Sequence, residues 1–158
     1  MSNHRSFIYP FSIDTEELCE EADEEMVFFE KTSHNIRVVV QPFWLEEQSC
    51  PEQHLFSWAY QIRIENHGCE TVGILRGSWD VTDARGHKKY IEGECLLGEV
   101  PQLESGEVFE YTSSMSLNTP SGFMKGYYKI THMNSGKIFD IAIPEFSLDS
   151  PHQSSCLN

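Results

Sequence analysis

The sequence predicts an all-β protein, an antiparallel β-sandwich of about seven strands. From Asn35 onward apolar residues recur with a period of two, which is typical of strands that bury one face. Runs of turn-forming residues separate these segments, and no amphipathic helical pattern lies between them. Such a pattern is typical of immunoglobulin-like and fibronectin III-like sandwiches, although a closed β-barrel would produce a similar one.

The clearest strand covers residues 56–64, in which every second residue is aromatic or branched and most of the residues between them are polar. Six further segments with strand patterns are 36–45, 71–82, 87–95, 107–113, 123–131 and 138–146. The breaks between the segments contain Gly, Asn, Asp, Ser or Pro, which tolerate positive φ or fix a bend. Most of these breaks therefore predict hairpins.

Several aromatic residues are expected in the core. Trp79 lies between Ser78 and Asp80, and a sandwich commonly buries one such tryptophan. Tyr127 and Tyr128 are adjacent in a predicted strand, so their side chains must point to opposite faces. One of the two tyrosines is therefore predicted to be partly exposed.

Composition divides the chain into an acidic N-terminal extension at 1–34, a single domain at 35–149 and a C-terminal tail at 150–158. The first 31 residues hold nine acidic and two basic residues, which is half of the net charge of −14. Leu18, Ala22, Met26 and Phe29 have the spacing of one helix face. We nevertheless expect a mobile extension, because neighbouring glutamates repel and an isolated helix of this length is marginal in water.

The acidic charge disfavours nucleic acid and anionic membrane surfaces as partners. No stretch approaches the roughly 20 apolar residues of a membrane span, and the N-terminal region is acidic where a secretory signal would be apolar. The five cysteines are odd in number and show no zinc-site spacing. These features predict a cytoplasmic protein with reduced thiols that binds neither nucleic acid nor membrane.

A collinear series of short motifs begins at Arg76. It comprises Gly77-Ser78-Trp79, Thr82-Asp83, Gly86, Glu92-Gly93-Glu94-Cys95-Leu96-Leu97-Gly98, Pro101, Ser105-Gly106-Glu107, Phe109, Tyr111, Ser113, Thr119-Pro120, Gly122, Met124, Gly126, Tyr128, Gly136, Phe139, Ile143-Pro144, Phe146 and Leu148. In these motifs, and in the two strand segments upstream, the chain resembles the ApaG family over about residues 35–149. The acidic extension lies outside the family pattern.

The resemblance implies a small fibronectin III-like sandwich without established catalytic activity. ApaG domains occur alone in bacteria, in eukaryotic F-box proteins, and in a protein that interacts with DNA polymerase delta. In those fusions the domain is taken to mediate protein interaction. The bacterial proteins have also been linked to cobalt tolerance and magnesium efflux, which is a phenotype and does not specify a chemistry.

The family's glycine-rich element reads Gly-Glu-Gly-x-x-Gly, and here Gly93 and Gly98 fit while Cys95 replaces the middle glycine. Such a loop can bind phosphate when a helix N-terminus follows it, but no helix pattern follows here. Structural turn glycines are therefore the favoured interpretation. The alternative hypothesis is that Gly93, Glu94 and Gly98 border a partner site or a site for a small pyrophosphate-like anion, with Arg76 as its positive charge.

No nucleophile elbow, zinc-protease helix or Walker loop is present, and the seven histidines show no paired spacing. We therefore expect no catalytic residues, no metal and no cofactor. The sequence favours a non-catalytic binding module with an unidentified protein partner, and a homodimer formed through sandwich edges is open. The alternatives are an accessory factor in divalent-cation (cobalt or magnesium) or nucleotide homeostasis, and an enzyme without a recognisable motif.

Overall fold

Ten strands and a short 3₁₀ helix form the part of the chain that the computed structural model describes, residues 4–8, 27–94 and 100–152. The strands are β1 (His4–Ile8), β2 (Phe29–Ser33), β3 (Ile36–Trp44), β4 (Phe56–Asn66), β5 (Val72–Asp83), β6 (Lys88–Glu94), β7 (Gln102–Leu103), β8 (Val108–Leu117), β9 (Gly122–His132) and β10 (Ile138–Leu148). The 3₁₀ helix, Pro51–Gln53, lies between β3 and β4. None of the described residues belongs to a helix that is long and apolar enough to cross a membrane.

The strands form two sheets. The first sheet has the order β1-β8-β4-β3-β2, and the second has the order β10-β9-β5-β6, with β7 added to β5. All pairings between the described strands are antiparallel except that of β1 with β8. The predicted antiparallel β-sandwich is confirmed, and each of the seven predicted segments corresponds to one of the seven longest strands.

The core lies between the sheets and is made by the inward-facing half of each strand, because alternate residues of a strand face opposite sides. Trp79 is 9% exposed, as predicted, and Trp58 is 1% exposed. Trp79 packs against Tyr60 of the first sheet and Tyr128 of the second, with ring centroids 5.5 and 6.2 Å apart. The hydroxyls of Tyr111 and Tyr128 are hydrogen-bonded, which joins β8 to β9 across the core.

Three strands lie outside the predicted segments. Residues 29–33, which the sequence analysis assigned to the extension, form β2 and pair with β3 through a tight turn in which His34 and Asn35 have positive φ. Phe29 packs against Phe146, so β2 contributes to the core. The rest of the apolar series with helical spacing, residues 18–26, lies outside the described residues.

The segment after β10 closes one end of the sandwich. The indole Nε1 of Trp58 donates a hydrogen bond to the carbonyl oxygen of Asp149 at 2.8 Å. Ser150 is buried, and its hydroxyl donates to the carbonyl oxygen of Pro120 at 2.6 Å. The imidazole of His152 packs against Phe56, with ring centroids 6.1 Å apart. Residues 149–152 thus connect the end of the second sheet to β4 of the first.

Candidate partner-binding face

Arg76 lies on β5, and its side chain is half exposed. Its guanidinium is 3.3 Å from a carboxylate oxygen of Glu92 on the neighbouring strand. In the sheet register Arg76 pairs with Glu94 of β6 on one side and Lys129 of β9 on the other. The predicted cation is therefore a surface residue with an acidic partner, and such an exposed pair adds little to stability.

The other predicted site residues lie along β6 and beyond it. Gly93 pairs with Gly77, and a Cβ added to Gly93 would meet nothing within 4 Å. Glu94 is the last residue of β6. Gly98 lies in 95–99, outside the described residues. The structure thus places Arg76 on the inner strand β5, beside the edge strand β6 that carries Gly93 and Glu94, and the anion site there stays a prediction.

The outward side of the second sheet carries two exposed tyrosines. Tyr127 of β9 is in register with Ser78 of β5, and two residues along β5 Asp80 is in register with Tyr90 of β6. Residues in register share a face, so both rings project from the same side of the sheet. Tyr127 is 53% exposed and Tyr90 is 60% exposed. We call this outward side of β6, β5, β9 and β10 the tyrosine face.

Charged side chains of both signs surround the two rings. The basic members of the tyrosine face include Arg76, Lys88, Lys125 and Lys129, and the acidic members include Asp80, Glu92 and Asp140. Two of these residues form a cross-strand ion pair, in which Lys129 Nζ is 3.1 Å from a carboxylate oxygen of Asp140. The face is therefore close to charge balance on a chain whose net charge is −14.

Packing beneath the face explains which tyrosine is exposed. Tyr128 is fully buried against Trp79, and Tyr127 is its outward neighbour. The sequence predicted one exposed tyrosine without deciding which one. A signal was available, because Lys125 and Lys129 have the same parity as Tyr127 in β9, and lysine is rarely buried. The exposure of Tyr90 was not predicted, since apolar and polar residues alternate only weakly in its own segment, 87–95.

Among the side chains that the structure describes, the outward side of the first sheet carries an ion-pair network. Glu65 is 7% exposed, and its carboxylate accepts hydrogen bonds from Arg37 at 3.2 Å, from Arg63 at 2.6 Å and from His67 at 2.7 Å. Burial raises the pKa of Glu65, but the hydrogen bonds outweigh it and lower the pKa to about 2. Glu65 is therefore a charged structural group and is not poised for proton transfer at neutral pH.

The remaining candidate groups in the described residues are structural or isolated. Burial raises the pKa of Tyr60, which lies in the core. Cys50 and Cys69 are free thiols. The described residues contain no group of three or more His, Cys, Asp or Glu side chains that could hold a metal ion.

The fold and the tyrosine face define a class of protein, the small two-sheet β-sandwich domain that presents one sheet to solvent. The family model of the ApaG domain matches residues 46–132, which is more than half of the chain. The chain belongs to the ApaG family. The resemblance noted in the sequence is thereby confirmed.

Curated relatives match most of the chain. Protein ApaG of Paramagnetospirillum magneticum is 47% identical over 130 residues, which are 82% of this chain and 99% of the relative. Protein ApaG of Rhodospirillum centenum is 49% identical over 127 residues, which are 80% of this chain and 97% of the relative. A crystal structure from Bordetella pertussis, described as an ApaA protein, is 36% identical with a TM-score of 0.71, and the match covers 77% of this chain and 98% of that one.

Proposed function

We propose that the protein is a non-catalytic binding module that takes a protein partner on the tyrosine face. The observation that carries the proposal is the placement of Tyr127 and Tyr90, both more than half exposed, on the side of the sheet that also presents Arg76. Tyrosine and arginine are enriched among the residues that dominate the binding energy of protein interfaces.

The charge of the tyrosine face favours a protein partner. The chain as a whole is strongly acidic and repels other acidic molecules at long range. On the tyrosine face Lys125 and Lys129 offset Asp80 and Asp140, so a partner surface of mixed charge can approach without a large electrostatic cost. The face therefore suits a mixed polar and aromatic interface better than a highly charged one.

The backbone of the face is held rigidly by its strands. Tyr127 lies in the middle of β9, which is hydrogen-bonded to β5 on one side and β10 on the other. Tyr90 lies on β6, which pairs with β5. Side chains presented by paired strands lose less conformational entropy on binding than side chains on free loops, which favours affinity.

The titratable groups with shifted pKa values support a non-catalytic role. Glu30 and Glu65 both bind Arg37, which lowers the pKa of the exposed Glu30 carboxyl. Asp83 accepts hydrogen bonds from backbone amides in the turn after β5. These carboxylates are thus engaged in holding strands and turns together.

The proposal is tested by affinity capture from the native organism with the full chain, followed by binding measurements on the purified partner. The double variant Tyr127→Ala/Tyr90→Ala is expected to bind the partner at least about 10-fold more weakly, because each interface tyrosine can contribute more than about 1 kcal/mol. Leu55→Ala is the matched control, since Leu55 is an exposed apolar residue near the β3–β4 connection, away from the tyrosine face.

Equal binding by the wild-type chain and the double tyrosine variant would refute the tyrosine face as the binding surface. Weaker binding by Leu55→Ala alone would place the partner at the β3–β4 connection instead. Sedimentation equilibrium of the purified chain identifies the case in which the partner is a second copy. In that case the double tyrosine variant should be monomeric.

A further inference from the structure

A second candidate site lies at the open edge between the two sheets, away from the tyrosines. There the start of β6 faces the end of β8 across a cleft with a volume of about 320 Å³. Residues of β6 and its preceding turn form one wall, and β8 with Leu117 and Asn118 forms the other. We propose that this cleft binds a small organic phosphate, a monophosphate ester that carries a compact apolar group.

The wall formed by β6 is basic. His87, Lys88 and Lys89 are consecutive and all three line the cleft. No carboxylate of a described residue lies within ion-pair distance of either lysine. Lys89 is in register with the inward-facing Val81, so its ammonium group is available to an anion in the cleft, whereas Lys88 is in register with Thr82 and lies on the side of Tyr90 at the start of β6. Lysine ammonium groups are common phosphate ligands.

Asp83 is the one acidic residue among the described residues that line the cleft, and it is already engaged. One carboxylate oxygen accepts hydrogen bonds from the backbone amides of Arg85 and His87, each at 2.9 Å. The other oxygen is 3.4 Å from Nδ1 of His87. The negative charge of Asp83 thus holds the turn and orients His87, which leaves Lys89 to a ligand.

The floor of the cleft is apolar. Val81 is 1% exposed, and Met115 and Leu117 are partly buried hydrophobic residues that pack against the core. Asn118 contributes an amide that can donate or accept hydrogen bonds at the rim. A purely inorganic anion would leave this floor in water, whereas an apolar group on the phosphate would cover it.

The distribution of charge over the whole chain supports the same ligand. Seven of the eleven Lys and Arg residues lie on the second sheet or in its turns, namely Arg76, Arg85, Lys88, Lys89, Lys125, Lys129 and Lys137. The strands of the same sheet also carry six acidic residues, so an anion would be attracted only where a cation has no described carboxylate within ion-pair distance, as at Lys89. The expected binding is therefore short-ranged and sensitive to salt.

The test is a titration of the full chain with phenyl phosphate, inorganic phosphate and phenol, followed by heteronuclear NMR. Phenyl phosphate should bind saturably and shift the amide signals of Met115, Leu117 and Asn118. Inorganic phosphate should bind more weakly, and phenol should not saturate. The double variant Lys88→Gln/Lys89→Gln should weaken phenyl phosphate binding at least about 10-fold. The variant Lys125→Gln/Lys129→Gln removes the same charge from the tyrosine face and should change binding by less than about 2-fold.

Three outcomes would overturn the inference: no saturation by phenyl phosphate, equal weakening by the two lysine variants, or equal binding of phenyl phosphate and inorganic phosphate. Absence of saturation would mean that the cleft does not bind phenyl phosphate. Equal weakening by the two lysine variants would mean that binding reflects only general charge attraction. Equal binding of the two phosphates would mean that the apolar floor does not contribute to binding. Of the four exchanged lysines, Lys88, Lys89 and Lys125 are exposed and Lys129 is half-buried, so thermal unfolding should confirm that both variants fold. Loss of partner binding at the tyrosine face would leave these results unchanged.

Discussion

At Gly126 the backbones of β9 and β5 come too close for any side chain. A Cβ at this position would overlap the carbonyl oxygen of Ser78 and lie 3.2 Å from the Cα of Trp79. The neighbouring atoms belong to backbone, so they cannot move aside as the end of a flexible side chain could. The absence of a side chain at Gly126 is thus what lets Trp79 pack beneath the tyrosine face.

Gly126→Ala is expected to lower the free energy of unfolding by about 3 kcal/mol, at the upper end of the usual cost of overpacking. Urea denaturation monitored by tryptophan fluorescence measures the change. Gly93→Ala is the matched control, because Gly93 also lies in a strand of the second sheet and a Cβ there would meet nothing within 4 Å. The control should stay within about 0.5 kcal/mol of the wild type. A small effect of Gly126→Ala would show that β5 and β9 can separate at this point.

At the scale of single strands, the first sheet is tied together by charged groups on its outer side. Arg37 of β3 binds Glu30 of β2 at 3.1 Å and Glu65 of β4 at 3.2 Å. Arg63 of β4 binds Glu65 and reaches Glu110 of β8 at 3.5 Å. The network therefore crosses four neighbouring strands, and Glu65 is its most buried member.

This network predicts how stability depends on pH. The pKa of Glu65 is about 2 in the folded chain, below its usual value of 4.5, so its contribution is complete above about pH 4.5 and is lost as the pH falls towards 2. The loss amounts to about 3 kcal/mol for a shift of this size. Glu65→Gln should remove most of this acid dependence, as measured by urea denaturation between about pH 6 and about pH 2. Glu30→Gln, at an exposed position of the same network, should retain it, and an unchanged acid dependence in Glu65→Gln would contradict the assignment.

The sequence predicted the long strands because each buries a regular alternation of apolar residues. It did not predict β2, in which only Phe29 is a large apolar residue and the three central residues are exposed. The two residues of β7 are too few to show any period. These strands are specified by pairing with β3 and β5 and not by their own pattern, so only the folded chain reveals them.

The candidate surfaces were still harder to predict. Arg76, Gly93 and Glu94 do lie on the neighbouring strands β5 and β6, but the sequence placed the site there through a family motif and did not identify the tyrosine face. Tyr90 and Tyr127 are 37 positions apart in the chain and meet on one face only through the registers of β6 and β9 with β5. The cleft likewise joins Lys88 to Met115 across two sheets. Strand order and register create both surfaces, and neither can be read from local spacing.

At the scale of the whole molecule, the last described segment connects the two sheets. Residues 149–152 follow β10, bond the indole of Trp58 and the loop carbonyl of Pro120, and place His152 on the aromatic cluster at that end. The indole donor is largely buried, so it would lose its partner without gaining water if this segment were removed.

A chain that ends at Leu148 is therefore expected to lose about 2 to 4 kcal/mol of stability, with Tm lower by roughly 5 to 10 °C. Differential scanning calorimetry measures the change. A chain that ends at His152 retains the bonds of Asp149 and Ser150 and is the control, with Tm expected within about 1 °C of the full chain. Equal melting of the two shortened chains would mean that residues 149–152 do not stabilise the sandwich.

The two sheets are interleaved along the chain. β3 and β4 belong to the first sheet, β5 and β6 to the second, β8 to the first again, and β9 and β10 to the second. The central strand β4 pairs with β8 only after the chain has built a hairpin of the other sheet. If the chain were divided at any point between β4 and β9, at least one of the two pieces would lack a complete sheet. The two sheets therefore cannot be separated by a single cut into two independent pieces, and the sandwich is a single structural unit.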